Sequence, residues 1–205
     1  MPTNVLALNA TLKKSGKEKS STDAMIELIA SYLEPHDARL VETVRLADHD
    51  ILPGVTSDEG EGDAWPTIRT KILAADVLIF GTPVWMGQPS SIAKRAMERM
   101  DAFLSETDDA GRTPAYGKVA TFAIVGNEDG AHFCTAAMAQ SLNDVGWTIP
   151  PASACYWVGE AMNDKDFKDL KTVPKVIRET AKMVASNAVH LAALLKAKPY
   201  PALGG

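Results

Sequence analysis

Four consecutive large apolar residues, Val77-Leu78-Ile79-Phe80, stand in the middle of the chain without any polar alternation. A strand apolar on both sides suits a parallel sheet covered by helices above and below. Val5-Leu6-Ala7-Leu8 and the run from Lys118 to Val125 have the same character. Ala38 to Leu46 instead alternates, with Leu40, Val41, Val44 and Leu46 apolar, as expected of a strand near a sheet edge. Trp147-Thr148-Ile149 and Ala154 to Val158, on either side of Pro150-Pro151, predict a short last strand.

Between these runs the apolar period lengthens to that of a helix. Met25, Leu28, Ile29, Tyr32 and Leu33 share one helical face, and Ile68, Ile72 and Leu73 another, after a Pro66 that suits a first turn. Ile92, Ala96, Met97, Met100 and Phe103 predict an amphipathic helix whose other side carries Lys94, Arg95, Glu98 and Arg99. Helices from about Phe133 to Val145 and from Pro174 to Lys196 follow, the last with Val176, Ile177, Ala181, Val184, Ala188, Leu191 and Leu194-Leu195 on its apolar side. Alternating strands and helices predict a single α/β domain over residues 1–205, a doubly wound, five-stranded parallel sheet with helices on both faces.

In such sheets ligands bind beyond the carboxyl ends of the strands. Three strand-to-helix loops are notable there. After Leu8, the connection Asn9 to Ser20 leads into Ser21-Thr22 and brings hydroxyls, Gly16, and Lys13, Lys14, Lys17 and Lys19 to a helix N-terminus, where free N–H groups and the helix dipole suit a phosphate. It ends as neither a Walker A loop nor a three-glycine dinucleotide loop. Gly81 and Pro83 are expected to stop the central strand, and the loop Gly81-Thr82-Pro83-Val84-Trp85-Met86-Gly87-Gln88-Pro89 then offers an indole and a thioether to a flat ligand. The third loop, Gly126-Asn127-Glu128-Asp129-Gly130-Ala131-His132, repeats the pattern, so the three should meet at one end of the sheet.

Composition narrows the rest. With 46% apolar and 23% charged residues the chain reads as an ordinary globular domain. A net charge of -5 argues against a general nucleic-acid or anionic-membrane binder, which needs a concentrated basic face. No apolar run reaches membrane-spanning length, and the short run after Met1-Pro2-Thr3-Asn4 lacks the features of a signal peptide, so a cytoplasmic location is expected. Cys134 and Cys155 lie in apolar surroundings without metal-ligand spacing and read as buried free thiols. Asp48-His49-Asp50, in an acidic stretch from Ala47 to Trp65 that reads as a mobile loop, points its side chains in different directions and reads as solvated rather than as a metal site.

Taken in order, Asn9-Ala10-Thr11 with Ser20-Ser21-Thr22, then Gly81 to Gly87, then Gly126 to Gly130 resemble the phosphate, flavin and glycine-rich loops of the flavodoxin-like NAD(P)H-dependent FMN reductases and quinone reductases. The first loop departs from the commoner form in its length and in having Asn9-Ala10 in place of Gly. The resemblance implies FMN as cofactor and NADPH or NADH as co-substrate, with a small-molecule electron acceptor and a homodimer or higher homo-oligomer. It assigns Asn9, Thr11, Ser20, Ser21 and Thr22 to the phosphate, Pro83, Val84, Trp85, Met86 and Gly87 to the ring, and Gly126, Asn127 and Gly130 to the third loop. Backbone N–H groups of Trp85, Met86 and Gly87 are expected at the flavin's polar edge. The flavin carries the chemistry, so no catalytic triad is expected; His132 is a candidate proton donor set against an ordinary capping or packing role. A flavodoxin-type electron carrier without nicotinamide turnover, and a flavin-free interaction module, are the alternatives. Apolar positions on the helix from Ile92 to Phe103 and on the final helix also point to self-association.

Overall fold

The computed structural model describes residues 2–16 and 18–202. Lys17 of the lysine-rich loop and the extreme ends of the predicted domain lie outside the described residues. Strands β1 (Thr3–Asn9), β2 (Ala38–Arg45), β3 (Val77–Trp85), β5 (Val119–Val125) and β6 (Ala154–Trp157) form a parallel sheet in the order β2-β1-β3-β5-β6, and the two-residue β4 (Gln88–Pro89) folds back antiparallel on β3. This is the doubly wound, flavodoxin-like arrangement the alternation predicts. Helices α1 (Ser21–Ala30) and α5 (Lys175–Ala197) cover one face; α2 (Trp65–Ala74), α3 (Ser91–Met100) and α4 (Ala131–Asp144) cover the other.

The unbroken apolar runs are explained by two cores. Val77 and Ile79 pack with α1 and α5, while Leu78 and Phe80 pack with α2, α3 and α4. β5 divides in the same way, Ala123 and Val125 to one core and Phe122 and Ile124 to the other. Successive strand residues point to opposite faces, so a strand enclosed on both sides has no position left for a polar side chain to reach water. At Gly81 the strand meets α1 so closely that a Cβ would lie 2.7 Å from the Thr22 methyl and 2.8 Å from Ile26.

Gly81 and Pro83 do not end β3, contrary to the sequence expectation. The strand continues to Trp85, with Gly81, Thr82 and Pro83 in register with Ala123, Ile124 and Val125. Beyond Ala10, whose N–H donates to Gly81 O at 2.8 Å, β3 has lost its β1 neighbour, so a proline without an N–H is tolerated there. The Trp147–Ile149 run contributes one isolated bridge, Val119 to Thr148, and the last strand is Ala154–Trp157 alone.

A second difference concerns Arg99, expected on the exposed side of α3. It is fully buried and paired at 2.7 Å with an equally buried Asp63. Its guanidinium also donates to the Leu52 and Thr56 carbonyls and lies over the Trp65 ring, while Arg95 donates to Ile51 O. The acidic stretch expected to be mobile is therefore pinned to α3. Burial pushes the Asp63 carboxyl up, but the Arg99 hydrogen bond and the N–H groups of Glu59, Trp65 and Leu52 outweigh it and hold the group well below the usual carboxylate range. Met97, Met100 and Phe103 are likewise taken up by the chain's own core, whereas Val176 and Leu194, placed on the apolar side of the last helix, are exposed. Among the described residues no helix is long and apolar enough to cross a membrane.

Removing one partner of a buried pair leaves an uncompensated charge, so Asp63→Ala should lose about 3 to 5 kcal/mol in urea denaturation at neutral pH. The folded-state value is depressed, so the stabilisation from Asp63 is complete above the unfolded value of about 4 and is lost as pH falls through the lower folded one. Stability measured against pH should fall more gently in acid for Asp63→Ala than for the parent.

Candidate functional site

The carboxyl ends of β1, β3, β5 and β6 open into a cleft of about 220 Å³. Its walls include Thr11, Lys13, Ser20, Ser21 and Thr22 from the first loop, Pro83, Val84 and Trp85 from β3, and Gly126 and Asn127 from the third loop. These predicted site residues are brought together as expected. Asn9, Met86, Gly87, Gly130 and His132 do not line it.

The reasons are local. Asn9 is fully buried and works inside the first loop: its carboxamide donates to Ser20 Oγ at 3.2 Å and to the Asp23 carboxylate, and accepts from Thr11 N at 2.9 Å. Ser20 is the N-cap of α1, its hydroxyl accepting from Asp23 N while Asp23 accepts from Ser20 N, a reciprocal box. Arg45 pairs with Asp23 and reaches the Lys13 and Lys14 carbonyls, and Asp48 accepts from Ser15 N and Oγ. The lysine-rich loop is thus tied down over the end of β2, and Asp48 serves as its anchor.

With the cap satisfied, the N–H groups of Ser21 and Thr22 remain at the start of α1 without intrahelical partners. Thr22 is 1% exposed and Thr11 5%, both lining the cleft, and neither hydroxyl meets a partner among the described residues. Nearly enclosed hydroxyls beside free helix N–H groups and the Lys13 ammonium form a donor set suited to a phosphate. Half-exposed Trp85 lines the same cleft and offers it a flat apolar surface.

Met86 and Gly87 form the tip of the β3–β4 hairpin, at φ 53° and 73°, the paired positive values of a type I′ turn. Their N–H groups are both donated, at 3.0 Å, to the two carboxylate oxygens of Glu128. Two of the three donors expected at a ligand's polar edge, those of Met86 and Gly87, are therefore held by Glu128, which the sequence reading placed in the third loop without giving it a role. Beneath it, Gly130 sits at φ 132° and a Cβ there would fall 2.7 Å from Gly87 Cα, so the loops touch backbone to backbone. His132 pairs with Tyr156 OH at 3.0 Å, edge to face.

Leu12 and Val125 line the cleft without having been predicted to, and so, further along the chain, do Trp157, Asp166, Phe167 and Lys168. Trp157 had a signal, being the last residue of the last parallel strand. Asp166, Phe167 and Lys168 come from the connection after it, which has no periodicity to mark it. Cys134 and Cys155 are buried free thiols, pushed up by burial to about 11 and about 12, so both are protonated and unreactive at neutral pH.

A family model described as NADPH-dependent FMN reductase matches residues 3–161. A relative named divalent metal cation transporter MntH, from Mycobacterium bovis, is 35% identical over 199 residues, which is 94% of this chain; the chain spans 29% of that relative's length. A second, 8-demethyl-8-aminoriboflavin-5'-phosphate synthase of Streptomyces davaonensis, is 29% identical over 98% of this chain and 81% of its own. Among solved structures, RosB with bound 8-demethyl-8-formylriboflavin-5'-phosphate superposes with a TM-score of 0.86 at 29% identity, covering 97% of this chain and 82% of that one.

Gly130→Ala should lower stability by about 1 to 3 kcal/mol, since it sets a Cβ against backbone in a left-handed conformation. Gly16→Ala, with nothing within 4 Å, should change it negligibly; thermal unfolding of the two variants side by side checks this. A thiol reagent should label neither cysteine until the protein unfolds.

Proposed function

The chain belongs to the NADPH-dependent FMN reductase family of flavodoxin-like oxidoreductases, and we propose that it binds FMN in the cleft and passes hydride from NADPH or NADH to a quinone, a flavin or another small acceptor. One observation carries this reading: two nearly buried threonines, a helix N-terminus with free N–H groups and a half-exposed indole line the same cleft. That combination suits a flavin mononucleotide, a dianion joined to a flat ring.

On this reading Thr11, Ser21 and Thr22 hold the phosphate through hydroxyl and N–H groups, and Lys13 balances its charge. Pro83, Val84 and Trp85, which line the cleft, would hold the ring. FMN, when bound, would supply the hydride-transfer chemistry. The protein's task is then alignment, and the stiff β3–β4 hairpin, tied by Glu128, serves it. His132, engaged with Tyr156 and outside the cleft walls, has no part in this scheme. Asn9, Met86, Gly87 and Gly130, outside the cleft walls, and Ser20, occupied as the cap of α1, would frame the site rather than bind the ligand. Exposed Val176, Met183 and Leu194 on α5 support the proposed homodimer.

A second reading, favoured by the likeness over nearly the whole chain to a synthase that works on a riboflavin phosphate, makes the flavin a substrate altered in the same cleft. One experiment separates the readings. FMN is added to the purified protein, NADPH and NADH are supplied separately without oxygen, and the flavin is then reoxidised and weighed by mass spectrometry. Bleaching by either nucleotide with an unchanged flavin mass is expected. A changed mass would favour flavin modification, binding without bleaching a carrier, and no binding the flavin-free alternative. Thr22→Val should weaken FMN binding about tenfold, the size of one hydrogen bond to a charged group, and leave riboflavin binding within about twofold.

A further inference from the structure

We propose that the connection between β6 and α5 is a fourth wall of the flavin cleft and that Lys168 in it reads the flavin's 5'-phosphate, giving the protein its preference for FMN over riboflavin. The inference rests on the flavin reading above and concerns residues that lie beyond the family match, which ends at residue 161.

The wall is built at both ends. Near its start, Met162 N donates to Asn127 O at 2.9 Å and Asn127 Nδ2 donates to Asn163 O at 3.0 Å. At its far end, Lys168 N donates to Ser21 Oγ at 3.3 Å. Two residues assigned from sequence to the ligand therefore hold this segment in place. Between the anchors, Phe167 is buried and its ring lies 5.7 Å from that of Trp157, which fixes Trp157 as a cleft wall across from β3.

The anchor at Ser21 decides the chemistry. Ser21 is the first residue of α1, so the backbone of Lys168 is bonded to the helix end that carries the free N–H groups. Lys168 and Lys13 both line the cleft, as do the nearly buried Thr11 and Thr22. The Lys168 ammonium lies 3.0 and 3.1 Å from the two oxygens of Asp169 and 3.9 Å from Asp166, which itself lines the cleft. The hydrogen bond to Asp169 holds the lysine charged, above its ordinary value. Both carboxylates are about half exposed, and such pairs are worth little, so a dianion at the helix end competes well for the ammonium. A neutral ribityl hydroxyl at the same place would not.

The test is the dissociation constant of the purified full chain for FMN and for riboflavin, read from quenching of flavin fluorescence, in the parent, Lys168→Met and Lys168→Arg. Lys168→Met should weaken FMN binding about tenfold while riboflavin binding stays within about twofold, and Lys168→Arg should restore most of the difference. The added salt needed to halve FMN affinity should rise in Lys168→Met, with one charge contact fewer to screen. Equal loss for both flavins would show a wall that only shapes the cleft, and no loss for either would remove Lys168 from the site; each overturns the proposal and leaves the flavin reading standing. A parent chain that binds neither flavin overturns that reading and this proposal with it.

Discussion

A strand enclosed on both faces can satisfy its backbone only through neighbours in its own plane, and β3 imposes that condition on the whole molecule. β1 and β5 supply its hydrogen bonds, and their parallel direction sends each connection back over a face as a helix. Every loop that leaves β1, β3, β5 or β6 then emerges at the same end. The site follows from the sheet: the register of Asn9 with Gly81, and of Gly81 with Ala123, sets the heights at which the loops begin.

Around the cleft, several polar groups of the three loops are committed to the protein itself. Asn9 and Ser20 close the first loop, Glu128 takes the hairpin N–H groups, and Asn127 holds the segment after β6. Buried donors without partners are costly, so a loop with a fixed shape must satisfy most of them internally. What stays free is correspondingly informative. Among the described residues, the threonine hydroxyls, the first-turn N–H groups of α1 and the Trp85 indole are the groups left to recognise something else.

The Arg99–Asp63 pair shows the same economy on the opposite face. A long acidic connection with several glycines would cost stability if it were loose, and one buried guanidinium with three carbonyl or carboxylate partners fixes most of it. Its burial also removes Arg99 from the exposed side of α3. The charged residues that line the cleft are Lys13, Asp166 and Lys168.

The sequence by itself determined the fold class, the strands and helices to within a few residues, and the three loops that meet at the cleft. These depend on period and on local chemistry, which a chain displays in order. It misjudged Gly81 and Pro83, because whether a glycine or proline stops a strand depends on which neighbour is still paired at that height. It placed Arg99 in solvent, because helical periodicity locates a face but says nothing of an acidic loop that returns to cover it. Which hydroxyls and amides stay free, and that Phe167 and Lys168 reach a cleft begun at Thr11, were decided by tertiary structure alone. Glu128 lies 42 residues from the Met86 amide it holds and Lys168 lies 147 from Ser21, and only the closing of the chain on itself brings such groups within bonding distance.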